Sequence, residues 1–325
     1  MAENPTLYQL VQIGVEVTPG TPVAATKRLT SLEVTPTIKP ELKAYRPSGY
    51  KFPTISALGK EWTESAIQGP LTYTEIIYLL NSLLVAVTPT GAGPEKTWTF
   101  TPSSNASDTR KAFTIETGSA DRGRQMSYSR VTSGTFNFSR DECTFQGTIT
   151  SKALADDFTL TTLTSAAEIK LIPILPTEGS IKLADTYAGL AGATALGRVF
   201  SISWGIQNLS GPVWPINSST TFAALTDLVP TSEGTIKMAV DDEGMALLAN
   251  LRSGDTKFLR VKYTGVTIGT LPYSLQIDLA MKVSNVQAFS DEAGVYAIEW
   301  NFTTTSDVTW GKSVEIIVVN DLTGL

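Results

Sequence analysis

Along most of this 325-residue chain, apolar and polar residues alternate with a period of two, the mark of strands buried on one face. Two stretches change to a helical period. In Leu71–Val85, Tyr73, Ile76, Ile77, Leu80, Leu83 and Leu84 form one wide apolar stripe, which predicts a helix over about 72–85. Thr72 and Glu75 stand in the S/T-x-x-E relation of a capping box at its start. In Asp241–Gly254, Met245, Leu247, Leu248 and Leu251 predict a second helix over about 242–253. Asp241 or Asp242 caps its start, and Arg252 followed by Gly254 closes it.

The two helices echo each other at a shift of 168, which sets Glu75 on Glu243 and Leu80 on Leu248. Their flanks repeat in order. Val11–Arg28, with a Pro19–Gly20 turn, is answered by Ile181–Arg198, and Leu29–Ile38 by Val199–Ile206. The long connection Lys39–Trp62 is answered by Gln207–Glu233, and the strand Glu64–Gln68 by Gly234–Val240. After the first helix, strands are expected at Thr97–Phe100, Ala112–Thr117, Gln125–Phe138 (broken at Gly134) and Cys143–Ser151, with a polar loop at Ser103–Arg110. After the second, Phe258–Tyr263, Tyr273–Ala280, Val283–Phe289 and Val295–Thr304 read as strands. Ser313–Asn320 is an alternating strand with no clear partner in the first half. The pattern predicts a mainly β chain of two tandem domains, 1–165 and 166–325, each with one helix; the Thr/Ser-rich passage Thr159–Ala167 marks the boundary.

Composition narrows the function. With 42% apolar and 17% charged residues the chain is globular rather than disordered. A net charge of −6 argues against a tight grip on nucleic acid, which needs an excess of Lys and Arg. The absence of histidine excludes a Ser-His-Asp triad and imidazole metal ligands. One cysteine, Cys143, excludes an internal disulfide and reads as a core or strand residue. No basic stretch followed by an apolar run opens the chain, and the longest apolar run, Ile76–Val87, is too short to span a bilayer. A soluble protein made in a cytoplasm is expected, and its N-x-S/T sequons read as chance.

Few groups invite chemistry. The acids Asp241–Glu243 read as a helix cap rather than a calcium site, because the alternating acid spacing is missing. Asp156–Asp157 and Ser290–Glu292 read as turns, and Arg122, Gly123 and Arg124 as a solvated hairpin tip. Trp204, Trp214, Trp300 and Trp310 could serve as sugar-stacking platforms, but large aromatics in β domains more often fill cores or interfaces. No catalytic residue, metal ligand or cofactor is assigned, and no enzyme activity is expected.

The opening QIGVEVTPGT, with Gln12, Gly14, Glu16, Gly20 and Thr21, resembles the N-terminal signature of major tail tube proteins of long, non-contractile-tailed bacteriophages. The closing stretch Val295–Asn320 resembles the last strands of that siphophage family, and the order of elements between them is similar. The resemblance implies β-sandwich domains with a flanking helix, six domains to a ring, and rings stacked into a hollow conduit for DNA. A two-domain subunit would then form rings of three. The alternatives are a six-subunit ring with one lumen-lining half, and a carbohydrate-binding β-sandwich on a virion or another surface. The implied partners are other copies of the chain, tape-measure and tail-terminator proteins, and DNA as passing cargo, with no membrane. The implied location is the virion tail, after assembly in the host cytoplasm.

Both long connections carry groups suited to contacts between subunits. These are Tyr45, Arg46, Tyr50, Lys51 and Phe52 in the first, and Trp214 and Phe222 in the second. Both are expected to be mobile in a free subunit and ordered in an assembly, with help from arms at Met1–Leu10 and Asp321–Leu325.

Overall fold

A computed structural model describes residues 9–119, 122–217 and 219–325. The N-terminal arm expected at 1–10 therefore lies, but for its last two residues, outside the described residues. The fold is mainly β. Its first half contains β1 (Leu10–Val15), β2 (Lys27–Leu29), β3 (Glu33–Tyr45), β4 (Ile55–Pro70), α1 (Ile76–Leu83), β5 (Lys96–Phe100), β6 (Phe113–Gly118), β7 (Gly123–Ser139), β8 (Cys143–Ser151) and β9 (Ala155–Phe158). The second contains β10 (Gly179–Ala184), β11 (Val199–Gln207), β12 (Ser210–Val213), β13 (Ala224–Asp227), β14 (Thr231–Ala239), α2 (Asp242–Ser253), β15 (Lys257–Thr267), β16 (Pro272–Val286), β17 (Ser290–Glu292), β18 (Val295–Thr304) and β19 (Val314–Asn320).

The pairing scheme of the first half recurs in the second. The antiparallel pairs β1–β6, β6–β7, β7–β9, β7–β8, β4–β8 and β3–β4 are matched by β10–β15, β15–β16, β16–β19, β16–β18, β14–β18 and β11–β14. In each half one long strand belongs to two sheets. The first part of β7 lies between β6 and β9, and its second part beside β8. Likewise β16 runs from a place between β15 and β19 to a place beside β18. Apolar residues between the two sheets of each half form a core that is continuous across the chain.

Two strand pairings join the halves. Gly134–Ser139 of β7 pairs with Ser201–Ile206 of β11, which makes one central antiparallel sheet in the order β3-β4-β8-β7-β11-β14-β18-β16. In addition, β5 leaves its own half and pairs with β19. Side chains reinforce both. Trp204 stacks on Phe136 with ring centroids 5.6 Å apart, and Phe138 stacks on Tyr263 at 5.3 Å. Trp98 Nε1 donates to Asn320 at 2.9 Å, and Asn320 donates to the Tyr73 carbonyl.

Several expectations need correction. The first connection is not irregular: β3 and β4 form a long hairpin, paired from Glu33–Gln68 out to Tyr45–Ile55. Gly134 does not break β7; a Cβ there would lie 2.7 Å from the Phe145 ring, so the glycine serves close packing. Tyr273–Ala280 and Val283–Phe289 are largely one continuous strand, β16. Ser290–Glu292 is strand β17, and the turn falls on Ala293 and Gly294, with φ of 52° and 83°. Asp156–Asp157 lies in β9. That short, acid-rich strand is the counterpart of β19, whose partner was not evident from the sequence. The helix caps also shift the echo by one position. Thr72 accepts the Glu75 N–H at 3.1 Å as Asp241 accepts the Gly244 N–H at 2.9 Å, a spacing of 169.

Half of the α1 capping box goes elsewhere. The Glu75 carboxylate, fully buried, accepts the N–H groups of Thr30 and Ser31 and the Thr30 hydroxyl, and so anchors the β2–β3 turn. The helices differ most in cover. Every residue of α1 is buried, whereas only Gly244, Leu247 and Asn250 are buried in α2. Cys143 is buried in β8, and burial pushes its thiol pKa up to about 11.

Burial tends to raise the pKa of Glu315 on β19, but bonds from Lys312, Tyr187 and Thr101 outweigh it and hold the carboxyl below its ordinary value of 4.5. A lowered folded pKa adds stability above the unfolded value and loses it as pH falls through the folded one. Glu315→Gln should therefore flatten the loss of stability below pH 4.5, read from urea midpoints across acidic pH. The unequal cover of the helices predicts unequal costs. Leu80→Asp should cost about 3 kcal/mol or more in urea unfolding, and Leu248→Asp about 1 kcal/mol.

Candidate assembly surfaces

Beyond Trp62, β3 and β4 pair only with each other among the described residues, so the outer hairpin leaves the sheet as a two-stranded arm. On one face of the arm lie Ile38, Leu42 and Leu58, all exposed. On the other lie Lys39, Glu41, Lys43 and Lys60; Glu41 pairs with both Lys43 and Lys60, and these cations lower its pKa. Tyr45, Arg46, Tyr50, Lys51 and Phe52 gather at or beside the exposed tip. Five of the seven expected contact residues thus share one place.

Trp214 and Phe222 do not join them. The second connection folds as the β12–β13 hairpin and packs on the base of the arm. Phe222, 1% exposed, lies against Tyr128 with centroids 5.4 Å apart. Trp214 is half-buried between Trp62 and Phe222, with Lys60 over its ring. The Glu61 N–H donates to the Thr220 carbonyl at 2.7 Å. Arg110, almost fully buried, donates to Asp227 at 2.6 Å and to the Leu84 carbonyl, tying this hairpin to the first half. Phe222 is therefore a core residue and not a free contact. The sequence showed an aromatic on a long loop but not the Tyr128 surface that receives it.

Two strand edges of the central sheet lack a neighbour among the described residues. One is the outer edge of β3, and the other the outer edge of β17 and the last part of β16. They lie at opposite ends of the sheet. They are also the counterparts of β11 and β7, the strands that join the halves. Pro36 and Pro40 stand in β3, as suits an edge strand.

One face of the central sheet meets the core, and the other carries polar side chains. Across it run two rows, pair by pair: Glu33, Gln68, Gln146 and Thr135, and next to them Asn137, Ser203, Thr235 and Asn301. Its charged residues inside the arm are Glu33, Glu64, Glu233 and Glu299 against Arg130, Lys237 and Lys282, and Lys39 at the base of the arm reaches Glu64 at 3.4 Å. Lys237 is held by Glu292.

The other features singled out in the sequence are structural. Trp204 and Trp300 are fully buried and cannot stack on a sugar. Trp310 is half-buried on Tyr187. Arg122 and Arg124 pair with Asp156 at 2.9 and 3.3 Å. The Glu16 carboxylate accepts the Gly20 N–H, the Thr114 hydroxyl and the Tyr128 N–H, so the QIGVEVTPGT stretch fastens the first turn to β6 and β7.

No model of a known protein family matches the chain. No curated protein matches it with significance. Among the described residues no helix is long and apolar enough to cross a membrane.

The two aromatic positions predict opposite behaviour. Phe222→Ala should cost about 3–5 kcal/mol in thermal or urea unfolding. Phe52→Ala, at the exposed tip, should stay within about 0.5 kcal/mol of the parent.

Proposed function

We propose that this chain is a self-assembling tube subunit, the tail tube protein of a long, non-contractile-tailed virion, and that it acts as a passive conduit for DNA. One observation carries the reading: β7 and β11 join the halves, and their counterparts β16 and β3 are the two open edges. If one chain meets the next as its halves meet each other, the antiparallel sheet continues and can close. Closure removes edges that would otherwise invite uncontrolled pairing. The outer sheets and helices crowd one side of the central sheet, so the bare polar face would turn inward. A wall rich in hydroxyl and amide groups, with no excess of basic residues, gives passing phosphates little to hold.

Both halves contribute four strands and the same polar surface to this sheet. That supports rings of three chains over rings of six in which one half stands away from the lumen. The arm, with its exposed aromatic tip, suits contact from one ring to the next. Tape-measure and terminator proteins as neighbours, and the virion tail as location, rest on the resemblance.

Negative-stain microscopy of concentrated protein should show rings or tubes with a central bore. A monodisperse monomer at every concentration would count against the reading. Replacing residues 44–56 with a tight turn should leave a folded subunit that no longer forms tubes. Normal tubes from that variant would make the arm a bystander.

A further inference from the structure

The core of the second half is open at one end. Met245 and Leu248 of α2, Val286 and Phe289 near the β16–β17 bend, and Ile298 and Trp300 of β18 line an apolar groove of about 310 Å³. The one polar atom of Trp300 is already satisfied, because its Nε1 donates to the Gly244 carbonyl at 3.0 Å. Phe289 stands 58% exposed at the rim.

The corresponding end of the first half is closed, and the second half closes it. Trp204 of β11 lies flat on Phe136, which packs on Phe145 with centroids 5.1 Å apart. Ile206, two residues along the same face of β11, is 5% exposed. The counterpart of β11 is β3. Val34 faces Ile67 as Ile202 faces Ile236, so Pro36 and Ile38 occupy the positions of Trp204 and Ile206. Ile38 is 48% exposed. Among the described residues the chain therefore holds an apolar groove without a cover and an apolar strand edge without a seat, and its internal joint is a template for bringing the two together.

We propose that the groove between α2 and the β16–β17 bend receives the β3 edge of a second copy of this chain, with Ile38 and Pro36 placed as Ile206 and Trp204 are placed internally. This rests on the reading of the chain as a ring-forming subunit and names the contact that forms the ring. The surfaces are different, so the contact is head-to-tail and leaves a free groove and a free edge until the ring closes. Pro36 supplies no backbone N–H and far less area than Trp204, so the joint between chains is weaker than the joint within one. Subunits accordingly stay soluble when dilute and associate when concentrated.

Cross-linking of the full-length chain tests this. Ile38→Cys and Phe289→Cys lie at exposed positions, and Cys143 is buried away from reagent. With a short bismaleimide, a mixture of the two single variants should yield dimers linking the two positions, and the double variant a ladder of oligomers. Phe289→Glu should keep the parent's melting curve and raise the concentration needed for assembly about tenfold or more. If the parent assembles while Phe289→Glu assembles equally well and no 38-to-289 link forms, the groove is not the joint, and the tube reading stands. Links only between two copies of position 38 would mean a symmetric contact and also overturn the groove. A parent that stays monomeric at every concentration overturns both.

Discussion

The backbone ladder between β7 and β11 is the contact on which the rest of the molecule depends. It turns two similar halves into one sheet, and it buries Trp204 on Phe136 and Tyr263 on Phe138. The two helices differ in cover: α1 is wholly buried and α2 is not. The first half is closed by the second, and among the described residues nothing closes the second. A repeated unit joined through unlike edges always ends with one edge of each kind unpaired, as a consequence of head-to-tail geometry.

Around this ladder the halves are locked by elements that do not repeat. Strand β5 crosses to pair with β19, and Arg110 holds Asp227 inside the boundary. Removing the Asp227 carboxylate would leave the buried Arg110 guanidinium without its counter-charge, so the lock is more costly to break than its net contribution to stability. Buried carboxylates act as staples within the first half: Glu16 fastens the first turn, Glu75 the β2–β3 turn, and Glu116 the Ala25 and Thr161 backbone N–H groups. Each is satisfied by backbone or hydroxyl donors, as a buried polar group requires. These three glutamates are thereby committed to the fold.

The amino-acid sequence by itself determined the two helices, the caps Thr72 and Asp241, most strand positions and the repeated order, because these rest on local periodicity and short-range bonds. It did not reveal that Lys39–Trp62 is paired throughout much of its length, because a hairpin exposed on both faces shows no single apolar stripe. It gave β9 no signal, since ADDF is short and acidic. Tyr45, Arg46, Tyr50, Lys51 and Phe52 were legible as exposed because their loop has no local apolar partners. The packing of Phe222 and Trp214 was not legible because their partners, Tyr128 and Trp62, lie far away in sequence. Only the tertiary structure decided which edges stay open, because strand pairing is a long-range property: whether β3 or β11 has a neighbour depends on the half that follows or precedes it, not on its own residues.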